Sequence, residues 1–334
     1  MLKGKKILIT GGTGSLGNAL TTRLVSSDVE QIRIFSRNEF KQIEMEAKFH
    51  DKRIRFLIGD VRDLDRLVRA TEDVDIVFHA AALKHVPKVE YNPFEAIKTN
   101  VVGSQNVIDA CLQNKVERAV CIGTDKGVSP LNTYGATKLL MEKLFVAAQH
   151  YSNPKRHPTK FIAVRYGNVL GSSGSVIPKF IEQIKNKQKL TITDPQMTRF
   201  SITMKEALDF ILNATSAGHG SEVFIPKLKA YSIMDVKDAL TEMLGSTKEE
   251  VVGIRAGEKL HETLINSDEI QNSWELDSMY MLANKFYPTF SDKKIKESYR
   301  NVRKVKNMTV YSSNTVERLS KQELKRAIKD SGLI

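Results

Sequence analysis

The sequence predicts an α/β fold: a Rossmann-type doubly wound parallel sheet, followed by a smaller C-terminal α/β region. Three observations carry this. Short apolar runs alternate with amphipathic runs along the first half of the chain. The first apolar run, Lys5 to Thr10, ends in a glycine-rich turn that leads directly into the amphipathic stretch Asn18 to Val25. The run Ala119 to Ile122 reads as a strand buried on both faces and is followed by polar residues. Ligands of open α/β sheets bind at that carboxyl edge.

The elements follow in order. Strand, glycine turn and helix are the context that a dinucleotide fingerprint requires. Gly11 permits the tight turn, Gly14 lets backbone approach a pyrophosphate at the helix N-terminus, and Gly17 allows helix to pack on strand. Thr13, Ser15 and Leu16 complete the loop. The second strand, Gln31 to Phe35, ends in Ser36 and Arg37 without the carboxylate that usually holds an NAD ribose. Arg37, with Ser36 and Lys41, could instead pair with a 2′-phosphate, so NADP is the expected cofactor, while Glu39 keeps NAD open. The third strand, Arg55 to Ile58, leads to Asp60 and Val61. Asp60 could accept from an adenine amino group, or Asp60 or Asp63 could cap the next helix. The fourth, Asp75 to His79, opens into Ala80, Ala81 and Ala82, small enough for a flat cofactor to approach the backbone. Lys84 and His85 follow at the same edge, with a structural role for His85 equally open. A helix from about Phe94 to Gln113 carries Asn100 as a brace for the site.

Thr124, Asp125 and Lys126 emerge after the fifth strand, and Tyr134 and Lys138 sit four apart on a helix, facing one site. A tyrosine of reference pKa about 10 needs a nearby cation to lose its proton near neutrality. The sixth strand begins at Phe161 and exits through Arg165 to Asn168 and Val169, before the hydroxyl-rich loop Gly171 to Ser175. Residues 1–177 are expected to form the dinucleotide-binding domain with the reactive residues. Residues 178–334 form a mainly substrate-binding region, with strands or helices free to return to the first.

Composition bounds the function. Apolar residues at 41% and charged residues at 27% are ordinary for a soluble globular chain. No run reaches the roughly 18 apolar residues of a membrane span. The N-terminus lacks a signal peptide's pattern, so a cytoplasmic location is expected. Cys111 and Cys121 have neither disulfide-framework nor metal-ligand spacing, so buried thiols and no metal are expected. The net charge of +12 suits an anionic small substrate, solubility or nucleic acid. The basic run from Lys293 to Lys306 lacks interleaved aromatics and reads as solvated surface, so no nucleic-acid partner is expected; Trp274 is assigned to packing or an interface.

Together these residues resemble the extended short-chain dehydrogenases/reductases, and within them the inverting UDP-N-acetylglucosamine 4,6-dehydratases of bacterial and archaeal L-sugar and pseudaminic-acid pathways. The resemblance runs through Thr10 to Ser15, Phe35 to Arg37, Ile58 to Asp63, Ala80 to Pro87, Glu90 to Pro93, Thr124 to Lys126, Tyr134 to Lys138, Arg165 to Val169, Met197 to Phe200 and Ile254 to Glu262. Retaining hexose dehydratases carry Asp-Glu where this chain has Asp125-Lys126, and simple 4-epimerases lack the acid/base pair. The resemblance implies that Tyr134, its proton affinity lowered by Lys138, takes the C4 hydroxyl proton while hydride passes to the cofactor. Thr124 holds the 4-ketone, Lys126 removes the C5 hydrogen, and Asp125 protonates the departing C6 hydroxyl. Hydride returns to C6, and C5 is reprotonated from the opposite face, most simply by Lys126. The product is a 4-keto-6-deoxy sugar inverted at C5.

Lys126 must be neutral to act as a base. Bringing an amine from about 10.4 to about 7.5 costs roughly 4 kcal/mol, which desolvation and repulsion from Lys138 are expected to supply. Arg199 and Arg255 are expected on the UDP diphosphate, Glu258 on ribose, and Asn168, Val169, Lys84, His85 and Thr124 around the sugar. Two departures from the family pattern, Ser173 and Ser201, bear on affinity and sugar preference. The superfamily's usual dimer, through the helices beside the Tyr-Lys pair, implies a homo-oligomer, and this branch resembles ring-forming hexamers. The rival readings are a 4-epimerase or retaining dehydratase, and, more distantly, a non-catalytic Rossmann protein that binds nucleic acid.

Overall fold

The computed structural model describes residues 1–151, 153, 155–172, 175–284 and 291–334. Six parallel strands form its centre: β1 (Lys6–Thr10), β2 (Gln31–Ser36), β3 (Ile54–Ile58), β4 (Ile76–His79), β5 (Arg118–Ile122) and β6 (Lys160–Val164). Their order is β3-β2-β1-β4-β5-β6, so the chain reverses direction across the sheet between β1 and β4. This is the doubly wound Rossmann arrangement, and its switch point is where a dinucleotide binds. Both faces of β1 are buried: Ile7 and Ile9 join one apolar cluster and Leu8 the opposite one. That is why these strands read as continuous apolar runs rather than alternating ones. Each such side chain stabilises the fold by about 1.5–3 kcal/mol.

The C-terminal half contributes to the same sheet. Val223–Pro226 pairs parallel to β6, and Met279–Leu282 pairs antiparallel to Val223–Pro226. Ser273–Glu275 and Arg303–Lys304 complete ten strands. A separate cluster, with Phe180, Tyr231, Val236, Leu240, Leu324 and Ile328, lies in the C-terminal half, while Phe200, Phe224 and Trp274 of the same half join the two clusters that flank the sheet. Trp274 is 1% exposed, with Lys304 over its ring. Cys111 and Cys121 are buried, and burial pushes both thiols up. Among the described residues, no helix is long and apolar enough to cross a membrane.

The predicted helix over 94–113 is interrupted. Pro93–Ala96 passes into a π-helical stretch, Ile97–Val102, before Gly103–Gln113 resumes α geometry. Wide turns of this kind re-aim a side chain inside a helix. Here the residue is Asn100, which accepts from the Leu83 amide (2.8 Å) and donates to the Leu83 carbonyl (2.9 Å) and the Thr137 hydroxyl (3.0 Å). It ties the segment after β4 to the helix that carries Tyr134 and Lys138.

Candidate active site

At the first turn Gly11 has φ +68, and a Cβ there would stand 2.8 Å from the Ala81 backbone. The helix Ser15–Val25 begins at Gly14 with no side-chain cap and no acid in its first turn, which leaves its amides for an anion. Gly17 lies against the Gly12 carbonyl, as close helix-on-strand packing requires. Thr13 and Leu16 are half-buried and Ser15 is exposed. At the end of β2, Ser36 is buried and its hydroxyl accepts from Gln42 (3.0 Å). Arg37 is exposed, 3.6 Å from Asp60, and Lys41 is exposed. Asp60 is also bound by Arg62 (2.6 Å); burial alone would raise its proton affinity, but Arg62 and Arg37 hold it below the usual range. Val61 contributes its side chain to the core beside Phe35 and Leu67, so only its backbone remains for a ligand. Ala80, Ala81 and Ala82 are half-buried, and Lys84 and His85 are exposed at the same edge. These residues fit a dinucleotide.

The turn after β5 is a single 3-10 turn, Asp125–Gly127, capped by Thr124. Its approach to the helix Thr133–Tyr151 depends on Gly135, where a Cβ would stand 2.1 Å from the Lys126 carbonyl. Thr124 donates to Asp125 Oδ1 (3.0 Å) and accepts from the Lys126 amide (3.4 Å). The Lys126 ammonium meets Asp125 Oδ1 (3.1 Å), Asn168 Oδ1 (2.9 Å) and Glu262 Oε1 (3.4 Å). Its side chain is 27% exposed, whereas those of Asp125 and Glu262 are 1% and 3% exposed. The Arg199 Nε lies 3.7 Å from Glu262, closing a quartet of two buried carboxylates and two cations.

The electrostatics differ from the expectation in two respects. Burial does lower the proton affinity of Lys126, but Asp125 and Glu262 overcome it and hold the ammonium above its ordinary value. The cation that opposes them most is Arg199 rather than Lys138. Lys138 is instead turned beneath the sheet edge, where it donates to the Ile122 carbonyl (2.5 Å) and Met141 Sδ (3.2 Å). Burial, partly opposed by Cys121 and Glu142, takes Lys138 down to about 8. Burial raises Tyr134, and the cation that draws it back is Lys126. A buried ammonium takes the nearest backbone oxygen when no phenolate is there to attract it. For Asp125, burial and the Glu262 charge raise proton affinity against the pull of Lys126.

The remaining residues divide. Arg199 is 8% exposed and donates to the carbonyls of Thr198 (2.7 Å) and Leu260 (3.1 Å) and to Met197 Sδ. It faces Glu262 rather than standing free for a diphosphate, because a buried guanidinium must satisfy its donors locally. Arg255 is exposed and 3.7 Å from Glu258, whose Oε2 is buried without a partner among the described residues. Val169 is half-buried and bridges to Ile202. Ser201 is buried, and its amide donates to the Lys229 carbonyl; Ser173 lies outside the described residues. Sequence reasoning singled out the stretch ending at Glu262 without assigning that carboxylate a role. Its only local signal is an acid set directly before the apolar strand Thr263–Ile265. Lys259, half-buried and bonded to the Val128 carbonyl, was also missed.

Residues 7–284 match the family described as polysaccharide biosynthesis protein. The chain is 46% identical to the inverting UDP-N-acetylglucosamine 4,6-dehydratase of Campylobacter jejuni strain 81-176, over 97% of each. It is 40% identical to the UDP-glucose 4-epimerase of Rickettsia bellii, covering 98% of this chain and 96% of that one. A solved structure, Pen from Bacillus thuringiensis, superposes with a TM-score of 0.90 at 38% identity, over 100% of this chain and 99% of that one. The fold, the fingerprint turn and the Tyr134 helix all agree with this likeness, and the chain belongs to the polysaccharide biosynthesis protein family of extended short-chain dehydrogenases/reductases.

Proposed function

We propose that this protein is an inverting UDP-N-acetylglucosamine 4,6-dehydratase that uses NADP. The observation that carries the reading is the Asp125–Lys126 pair at the carboxyl end of β5, an acid and an amine 3.1 Å apart beside Tyr134. The dehydratase relatives, at 46% identity, support the same substrate. Gly11 to Gly17 would hold the nicotinamide cofactor, which would supply a reversible hydride acceptor for the sugar. Arg37, exposed at the end of β2, would pair with a 2′-phosphate, and the small side chains of Ala80 to Ala82 would leave backbone open to the cofactor.

The chain's residues do the rest. Tyr134, as the phenolate that the Lys126 charge favours, takes the C4 hydroxyl proton and becomes the phenol, while Thr124 holds the resulting ketone. Asp125 and Lys126 rest as an ion pair. Transfer of one proton from Nζ to the carboxylate makes both reactive forms at once: a neutral amine to remove the C5 hydrogen, and a carboxylic acid to protonate the leaving C6 oxygen. Proton count and net charge are unchanged, so the 3.1 Å contact resolves the opposed demands on the pair. Arg255 serves the UDP diphosphate and Glu258 the ribose, with Lys84, His85, Asn168 and Val169 around the sugar.

The test is incubation with UDP-N-acetylglucosamine in heavy water, followed by NMR. A 4-keto-6-deoxy product with deuterium at an inverted C5 is expected; retained configuration would overturn the reading. The Rickettsia relatives favour a second reading, a 4-epimerase. That activity would give a C4 epimer with no loss of water.

A further inference from the structure

We infer that Glu262 is a third ionisable member of this site, a positioning residue that fixes the Lys126 ammonium and sets the pH range over which the Asp125–Lys126 pair works. This rests on the acid/base reading of that pair.

The geometry carries it. An ammonium has three N–H donors, and Lys126 has three oxygens around it: Asp125 Oδ1, Asn168 Oδ1 and Glu262 Oε1. Glu262 is 136 residues away in sequence and is held by the far end of the chain. Its amide donates to Ser313 Oγ (2.9 Å), and its carbonyl accepts from the Ser313 amide (2.8 Å) and Ser312 Oγ (3.1 Å). One carboxylate oxygen meets Lys126, and the other, Oε2, is buried without a partner among the described residues. A buried carboxylate with an unsatisfied oxygen is costly.

The groups facing it come from several elements: Lys126 and Asp125 from the turn after β5, Arg199 from the strand Thr198–Phe200, and Lys259 from its own segment. The hydroxyls of Tyr134 and Tyr231 also lie within its field. Burial alone would raise the proton affinity of Glu262, but the three cations keep it low, so it stays ionised. A fixed anion beside Asp125 and Lys126 strengthens proton binding at both. The working form, neutral Lys126 with protonated Asp125, has the same proton count as the resting ion pair. One limb of the rate profile therefore reports the first proton bound by the pair and the other limb the second, and Glu262 raises both.

The test is the pH profile of kcat on UDP-N-acetylglucosamine for the wild type, Glu262→Gln and Glu262→Asp. Removing the charge is expected to move both limbs of Glu262→Gln to lower pH by about one unit or more, and Glu262→Asp, which keeps the charge but farther from Lys126, to bring them part of the way back. Arg199→Gln, which leaves the Glu262 charge less compensated, is expected to move the limbs upward. A purely structural role would lower kcat without moving either limb. Independently of turnover, the pH at which Lys126 becomes acetylated by acetic anhydride, read by mass spectrometry, is expected to fall in Glu262→Gln. Wild type that makes no dehydrated product would overturn the proposed function while leaving this labelling test standing. Profiles and labelling that stay put in folded Glu262→Gln overturn the inference alone. If Glu262→Gln does not fold, Glu262→Asp decides it: its carboxylate sits one methylene farther from Lys126, so limbs displaced to lower pH support the inference, and limbs at their wild-type positions with a lowered kcat overturn it.

Discussion

Gly135→Ala isolates the contact that joins the two halves of the proposed catalytic machinery. Helix propensity alone favours the change, since alanine is better than glycine by about 0.8–1.0 kcal/mol in a helix interior. Packing opposes it. The new Cβ would stand 2.1 Å from the Lys126 carbonyl oxygen and 2.9 Å from Pro130 Cβ. Carbon and backbone oxygen must separate by roughly another 1 Å to leave the repulsive wall, and the neighbour is main chain, which cannot swing aside. The helix start carrying Tyr134 and the turn carrying Lys126 must therefore move apart. Overpacking of this kind costs about 1–3 kcal/mol, enough to cancel the propensity gain. A misplacement of about 1 Å between reacting groups costs about a hundredfold in rate. The assay is kcat with urea unfolding on the same samples. Gly127→Ala is the control: it lies in the same turn, but its Cβ would meet only ordinary contacts, Leu139 N at 3.4 Å being the nearest. Gly127→Ala is expected to keep its activity while Gly135→Ala loses about two orders of magnitude. Turnover in Gly135→Ala within about threefold of wild type, at unchanged stability, would refute the reasoning.

Three further outcomes are expected. Arg165 is 1% exposed and bound by Glu142 (2.5 and 3.0 Å) and Glu269 (2.9 and 3.0 Å), so Glu142→Gln strands part of a buried charge and should cost about 3 kcal/mol in urea unfolding. His79 is fully buried between Thr10 (2.7 Å) and Ser104 (2.9 Å), and burial, then Lys138, lower it from 6.5 to about 3. The unfolded chain thus binds the extra proton between those values, and its share of stability, complete above 6.5, is lost as pH falls, by about 1.4 kcal/mol per unit; His79→Gln should flatten the slope measured by thermal unfolding. Arg37→Glu should weaken NADP binding about 10–100-fold in calorimetry and leave NAD nearly unchanged; equal losses for both would remove Arg37 from the 2′-phosphate.

What the sequence determined by itself was local. The apolar runs became β1 to β6 within a residue or so at their ends, because strands buried on both faces leave a continuous apolar trace. The fingerprint turn was legible because Gly11 and Gly17 answer to backbone geometry within a dozen residues. Tyr134, Lys138 and the Thr124 to Lys126 turn were legible because each is fixed by its position after β5. The π-helical stretch at Asn100 left no mark, since a helix widened by one residue keeps nearly the same apolar period. Only the tertiary structure decided which charges meet. Lys138 found the Ile122 carbonyl, Arg199 turned inward, and Glu262 reached Lys126 because Ser312 and Ser313 hold its backbone in place. The proton affinity of a buried group is set by the few charges within several ångströms of it, and in a chain that closes on itself over more than a hundred residues, those neighbours are chosen by the fold.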